Sequence, residues 1–211
     1  MTIVIASRNH HKCRELSALL RVPGIRWRSL SAFPRVGAIP ERGRTFQANA
    51  IHKARVVAKA TGCLVLADDS GLEVAAIHQA PGVRSARFAG RHGDDGANNA
   101  KLLRLLRGVP DTERDARYRC VLALASPGKL LAVTEGTLRG RIAHVPRGRG
   151  GFGYDPLFLL PRFKRTVAQL SAATKNRLSH RAKAAQAMRQ VLKAASAPSG
   201  AVAPPRMGRV G

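Results

Sequence analysis

Leu64-Val65-Leu66-Ala67-Asp68-Asp69-Ser70-Gly71 is an apolar run that ends at two adjacent carboxylates. Cys63 to Ala67 reads as a short buried strand leading to the pair. Neighbours on a strand point to opposite faces, so one carboxylate is expected to face a metal and its water while the other braces the loop. Acids are scarce: the chain has 12 Asp and Glu against 37 Lys and Arg, so two side by side are not ordinary solubilising charges. Crowded oxygen ligands at a strand exit suit a hard cation such as Mg²⁺, which is held by one or two carboxylates together with substrate phosphates. The plainer alternative is a strand-end turn in which Asp and Ser satisfy nearby backbone groups.

Outward from this stretch the pattern is that of an α/β protein. Towards the N-terminus, Thr45 is placed to cap a helix carrying Phe46, Ala50, Ala54 and Val57 on one side and stopping at Gly62. Ile3 to Ala6 reads as a buried strand, followed by a turn into a helix with Cys13, Leu16, Leu19 and Leu20 at helical spacing. Towards the C-terminus, Asp94 or Asp95 caps a helix through Leu102, Leu103, Leu105 and Leu106, closed by Gly108 and Pro110. Tyr118 to Ala125 and Leu130 to Thr134 are strand-like, joined by the turn Ser126-Pro127-Gly128-Lys129, and Leu157 to Leu160 is a further short strand. A last helix is expected from near Ser179 to Ala195, with a disordered Ala/Pro/Gly/Ser tail over residues 196–211.

At 211 residues and 45% hydrophobic composition, the chain is expected to form one unit over residues 1–195 with a packed core. No stretch approaches the roughly 18 apolar residues a membrane span requires, and Ile3 to Ala6 is too short for a signal-peptide core. The expectation is a cytoplasmic protein with no membrane partner. Cys13, Cys63 and Cys120 are widely spaced in apolar surroundings and read as small core residues, not as zinc ligands or a redox pair. The formal charge of +25 invites a nucleic-acid reading. Against it, the basic residues run along the whole length, and no zinc-finger, basic-zipper or aromatic-rich RNA-binding signature accompanies them.

Three further segments carry potential chemistry. Ser7-Arg8-Asn9-His10-His11-Lys12 joins a strand to the first turn of a helix, where free backbone N–H groups with Arg8 and Lys12 form a phosphate cradle. Gly151-Phe152-Gly153-Tyr154-Asp155-Pro156 sets an aromatic between glycines, so backbone can approach a ligand and Phe152 can stack on a nucleobase; a flexible loop closed by Asp-Pro is the alternative. In Lys175-Asn176-Arg177-Leu178-Ser179-His180-Arg181, Ser179 caps the last helix, leaving His180 and Arg181 in its first turn as cations that oppose the helix dipole. Cations so placed suggest a ligand that compensates for them.

Ser7-x-Asn9-x-x-Lys12, Gly43-x-Thr45-Phe46-x-x-Asn49-Ala50, Asp68-Asp69-Ser70-Gly71-Leu72, Pro81-Gly82-x-x-Ser85-Ala86-Arg87, Gly151-Phe152-Gly153-Tyr154-Asp155-Pro156 and Ser179-His180-Arg181 stand in order between about residue 3 and residue 192. Together they resemble the inosine/xanthosine triphosphate pyrophosphatase family. The resemblance implies an α/β fold with an elongated mixed β-sheet flanked by helices, two lobes around a nucleotide-binding cleft, and a homodimer. It implies Mg²⁺-dependent hydrolysis of ITP, dITP and XTP to the monophosphate and pyrophosphate. Carried over by position, Ser7, Arg8, Asn9, His10, His11 and Lys12 correspond to the triphosphate loop, and Asp69 to metal ligand and general base. Asp68 and Glu41 are further candidates for the metal. Ser70 would touch substrate, and Phe152, Gly153, Tyr154, Asp155, Lys175, His180 and Arg181 would form the base and sugar site.

The chain departs from the family pattern at several positions. Ser7-Arg8 stands where Thr-Gly is common, Ala48 where Glu completes a capping box, Gln169 where Glu is frequent, and Pro40 where a second acid often precedes Glu41. Two rival readings stay open: a house-cleaning pyrophosphatase for other modified nucleotides, and a basic nucleic-acid-binding protein, which leaves the aspartate pair without a purpose.

Overall fold

The computed structural model describes residues 1–196, so the expected tail, beyond Ser196, lies outside the described residues. In chain order the elements are β1 (Thr2–Ile5), α1 (His10–Leu19), β2 (Arg26–Ser29), α2 (Phe46–Thr61), β3 (Leu64–Val74) and α3 (Asp95–Leu105). Then come β4 (Asp115–Ser126), β5 (Lys129–Ile142), β6 (Phe158–Leu160), β7 (Arg165–Thr166), α4 (Ala172–Leu178) and α5 (His180–Ser196). One mixed sheet has the order β2-β1-β3-β4-β5-β6-β7. β2, β1 and β3 run parallel, and every pairing from β3 onward is antiparallel.

β3 departs from the expected strand in one instructive way. It does not stop at the aspartates but carries them through to Val74, paired residue by residue with β4. Strand alternation therefore acts on Asp68 and Asp69 as on the apolar residues before them. Val65 and Ala67 pack with Val121 and Ala123 under α2, while Leu66 packs with Cys120, Leu122 and Leu124 under α1 and α5. A third cluster at the far end joins Leu72, Val74, Leu102, Leu106, Tyr118 and Phe158. Each fully buried Leu or Phe in these clusters contributes about 1.5–3 kcal/mol relative to exposure.

Two glycines allow elements to approach this sheet. A Cβ on Gly71 would stand 2.7 Å from the Gly82 carbonyl oxygen and 2.3 Å from Ser85 Oγ, so the short 3₁₀ turn Gly82–Arg87 rests directly on β3. A Cβ on Gly136 would meet the His180 carbonyl oxygen at 2.1 Å, so the start of α5 lies against β5. Several other boundaries move. β5 runs to Ile142, eight residues past the expected Thr134, because its pairing with β4 continues across Gly136 and Gly140. β2 and α4 were not foreseen. Asp94 caps α3 and Ser171 caps α4, while Ser179 Oγ accepts the Ala182 N–H at 3.0 Å and starts α5 as expected. Cys13, Cys63 and Cys120 are free, and among the described residues no helix is long and apolar enough to cross a membrane.

Candidate active site

The cleft forms where β1 ends. The last rung between the two parallel strands is the Ala6 N–H donating to the Leu66 carbonyl at 2.8 Å, and beyond it β3 runs on past the loop Ser7–Asn9. Ligands of α/β sheets bind at such carboxyl ends of strands. The side chains of Asn9, His11, Lys12, Ser70, Phe152 and Arg181 are among those that line a cavity of about 290 Å³ here. A larger hollow of about 890 Å³ lies by α3 and includes Arg104, Arg107 and Arg114, but none of the cleft's motif residues lines it.

The two aspartates, both buried, have opposite surroundings. Asp68 projects to the α1 and α5 face: Lys12 Nζ donates to its Oδ1 at 2.7 Å, and Arg181 Nε and Cys120 Sγ donate to its Oδ2 at 3.3 and 3.5 Å. Burial alone would raise its pKa, but Lys12, Arg181 and Lys53 together hold it well below the carboxylate range. Asp69 projects to the α2 face, where Lys53 Nζ stands 3.4 Å from its Oδ1. Its Oδ2 is buried with no hydrogen-bond partner among the described residues. Burial, with the Glu41 carboxylate adding to it, outweighs Lys53 and keeps the Asp69 pKa above its ordinary value.

Lys53 was missed by sequence reasoning. It is 7% exposed, donates to Glu41 Oε1 and to the Asp68 carbonyl, each at 2.6 Å, and ties the two acids of the α2 face together. Arg87, from the motif around Ser85, holds the other side of Glu41 through its Oε2 at 3.4 Å and its carbonyl at 3.2 Å. The signal for Lys53 was its position: Phe46, Asn49, Ala50, Lys53, Ala54 and Val57 form one buried helical stripe, so two polar residues interrupt an apolar face.

The loop Ser7 to Lys12 leads into α1 as expected. Asn9 caps α1 by accepting the Lys12 N–H at 3.1 Å, and Ser7 Oγ accepts the Asn9 N–H at 3.1 Å. The Arg8 guanidinium donates to the Val36 carbonyl and ties the loop to the segment leading to Glu41. His10 is exposed at the start of α1, whereas the His11 ring stands 6.1 Å from Phe152.

At the Phe152 end of the cleft, Lys175 Nζ lies 4.7 Å and the Arg181 guanidinium 5.7 Å from the Phe152 ring centre. Asp155 is held by Lys175 at 2.6 Å, the Phe152 N–H at 3.0 Å and the Tyr118 hydroxyl at 3.2 Å. Tyr154 donates its hydroxyl to the Ser85 carbonyl at 2.9 Å. The expectation of two uncompensated cations at the start of α5 is overturned. Arg181 is answered by Asp68 and by Glu15 at 2.7 Å, and also donates to Ser70 Oγ at 2.9 Å. His180, buried and stacked on Tyr118 at 4.7 Å, is held neutral by burial and by Arg181, which push its pKa well down. Gln169 completes a capping box with Thr166, accepting the Thr166 N–H at 3.0 Å.

A divalent cation fits this chemistry on one side of β3 only. Asp69 offers a buried carboxylate oxygen without a partner, with Glu41 joined to it through Lys53, while both Asp68 oxygens are engaged. Among the described residues there is no group of three or more His, Cys, Asp and Glu that could hold a metal ion.

The chain is similar to several known proteins. A dITP/XTP pyrophosphatase of Desulforamulus reducens is 50% identical over 192 residues, 91% of this chain and 96% of that protein. One from Lactiplantibacillus plantarum is 49% identical over 191 residues, 90% and 93% of the two chains. The solved structure of a HAM1 protein from Coxiella burnetii superposes with a TM-score of 0.85 at 42% identity, covering 92% of this chain and 99% of that one. The Staphylococcus aureus Ham1 protein gives 0.84 at 39%, covering 92% and 100%. The family model described as Ham1 family matches residues 3–191, and the chain belongs to the Ham1 family.

Proposed function

We propose that this protein hydrolyses the deaminated purine nucleoside triphosphates ITP, dITP and XTP to the monophosphate and pyrophosphate, in the cytoplasm, as a homodimer of two-lobed units spanning residues 1–195. The observation that carries the reading is the asymmetry of the aspartate pair at the open edge of β3: Asp68 saturated by cations, Asp69 with a free oxygen. The names of relatives about half identical to this chain support the substrate class.

In this reading the triphosphate lies along Ser7 to Lys12, where the first turn of α1 presents free N–H groups and Lys12 a cation. Asp69 accepts the proton of the attacking water. Lys53 keeps it oriented, and its unpartnered Oδ2 is the atom left to accept that proton. Mg²⁺, held by Asp69 and Glu41, would supply Lewis-acid polarisation of the phosphate oxygens. Lys12 and the α1 terminus spread the charge that develops on the departing pyrophosphate.

The purine rests by Phe152, with the donors of Lys175 and Arg181 nearby. A 6-carbonyl accepts from such donors, whereas the amino group of adenine faces them unpaired, at about 1–3 kcal/mol. The test is pyrophosphate release from ITP, XTP, GTP, ATP and dTTP with Mg²⁺ and with chelator. Release is expected from ITP and XTP, strongly reduced for ATP and dTTP, and lost with chelator. Comparable rates on all five would overturn purine specificity, and release from none would return weight to a nucleic-acid-binding protein.

A further inference from the structure

α3 opens with two aspartates that do different work. Asp94 is the cap, its Oδ1 accepting the Ala97 N–H at 2.9 Å. Asp95 reaches across to the loop of the purine site, where its Oδ2 accepts the Gly153 N–H at 2.6 Å. One turn further along, Asn99 Nδ2 donates to the Gly153 carbonyl at 2.9 Å. Side chains four residues apart share a helix face, and here that face closes on both ends of a single residue. Gly153 adopts φ +64°, and nothing lies within 4 Å of where a Cβ would stand. Glycine is therefore required for its left-handed backbone and not for lack of room.

We propose that Asp95 and Asn99 form a clasp on Gly153 that sets base specificity, by fixing the backbone that carries Phe152, Tyr154 and Asp155. The inference rests on the reading of that loop as the purine site. The inner side of the loop is secured by other groups: the Phe152 N–H and Lys175 both donate to Asp155 Oδ2, and the Tyr154 hydroxyl donates to the Ser85 carbonyl. The outer side depends on α3. Asn99 Oδ1 is buried with no hydrogen-bond partner among the described residues, so the amide is positioned by the bond it gives to Gly153.

This arrangement bears on guanine, which shares the 6-carbonyl of the deaminated bases. Guanine differs from xanthine by carrying an amino group where xanthine carries a carbonyl. Telling the two apart needs hydrogen-bonding groups at fixed positions, because a loop free to shift by a fraction of an ångström re-pairs with either. Asp95 and Asn99 are positioning residues in this scheme.

The test is steady-state kinetics on ITP, XTP and GTP for the full chain and four variants, with thermal melting of each. Asp95→Ala and Asn99→Ala should each raise KM for ITP by about tenfold, the loss of one hydrogen bond, with a smaller fall in kcat. The ratio of kcat/KM for XTP over GTP should narrow. Asp95→Asn, whose amide oxygen can still accept from Gly153, should restore the ratio. Asp94→Ala removes the cap of the same helix and should lower the melting temperature while keeping the ratio. A wild-type ratio in Asp95→Ala and Asn99→Ala, or equal narrowing in Asp94→Ala, would overturn the clasp while leaving the proposed function standing. Wild-type protein inactive on all three nucleotides would overturn both.

Discussion

The two faces of β3 place identical residues in opposite electrostatic states one position apart. On the even-numbered face Asp68 meets Lys12 and Arg181, and its charge is fully matched. On the odd-numbered face Asp69 shares Lys53 with Glu41, which Arg87 also holds, and keeps one oxygen unpartnered. The first arrangement holds elements together, since it joins α1, β3 and α5. The second leaves a carboxylate poorly stabilised as an anion, which is the state a base or a metal ligand requires. In the proposed reading, adjacent carboxylates thus divide structure from chemistry by the period-2 geometry of a strand.

The division is broken most directly at Asp68. Asp68→Ala leaves Arg181 and Lys12 facing a buried apolar site, and removing one partner of a buried ion pair costs about 3–5 kcal/mol. Urea unfolding should show that loss through a lowered midpoint. A variant as stable as wild type would mean that Glu15 and Ser70 alone hold Arg181. Next comes Asp69→Asn, which is expected to reduce kcat at least about a hundredfold, the scale of a general base. It should not reduce stability, because it removes an under-partnered buried charge. Loss of stability equal to that of Asp68→Ala would erase the distinction between the faces.

The even-numbered face is also the acid-sensitive one. His180 is neutral in the folded chain, its pKa pushed well below 6.5 by burial and Arg181, with Lys175 and Lys12 adding to this and Asp68 opposing. The unfolded chain takes up a proton on this residue as pH falls through 6.5, and the folded chain does not. Stability should therefore be fully present above that value and fall below it by about 1.4 kcal/mol per pH unit until the folded pKa is reached. In His180→Phe, which keeps the stack on Tyr118 and cannot titrate, denaturant midpoints should lose this slope. A slope that persists in the variant would assign it to another group.

Sequence reading reached the aspartate pair because an apolar run and scarce acids are local signals. It reached the asymmetry for the same reason, since alternation along a strand needs no tertiary information. The end of β3 was misplaced because Asp-Asp-Ser-Gly has turn chemistry, and only pairing with β4 overrides it. β5 was cut short by Gly136 and Gly140, which look like breakers but exist so that α5 and Phe158 can approach. Lys53 was invisible for a different reason. A lysine in a helix reads as solvent-facing until its stripe is traced, and what neutralises it, Glu41 and Asp69, lies 12 and 16 residues away. The division of Asp94 and Asp95 between cap and clasp depends on the position of Gly153, 58 residues from Asp95.

The smallest expected effect sharpens how the odd-numbered face is held. α2 delivers Lys53 to Asp69, and its start is capped on one side only: Thr45 Oγ1 accepts the Ala48 N–H at 3.1 Å. In a capping box the residue at that third position returns a bond to the cap's own N–H, and alanine cannot. Ala48→Glu should complete the box, place a carboxylate where the helix dipole favours it, and raise stability by about 0.5–1 kcal/mol in thermal melts. Because the gain acts on the helix start and Lys53 lies two turns on, kcat should stay at the wild-type level. If kcat fell with stability gained, the added charge would be acting on Glu41 or Asp69, and the α2 face would be tuned by its net charge as well as by its geometry.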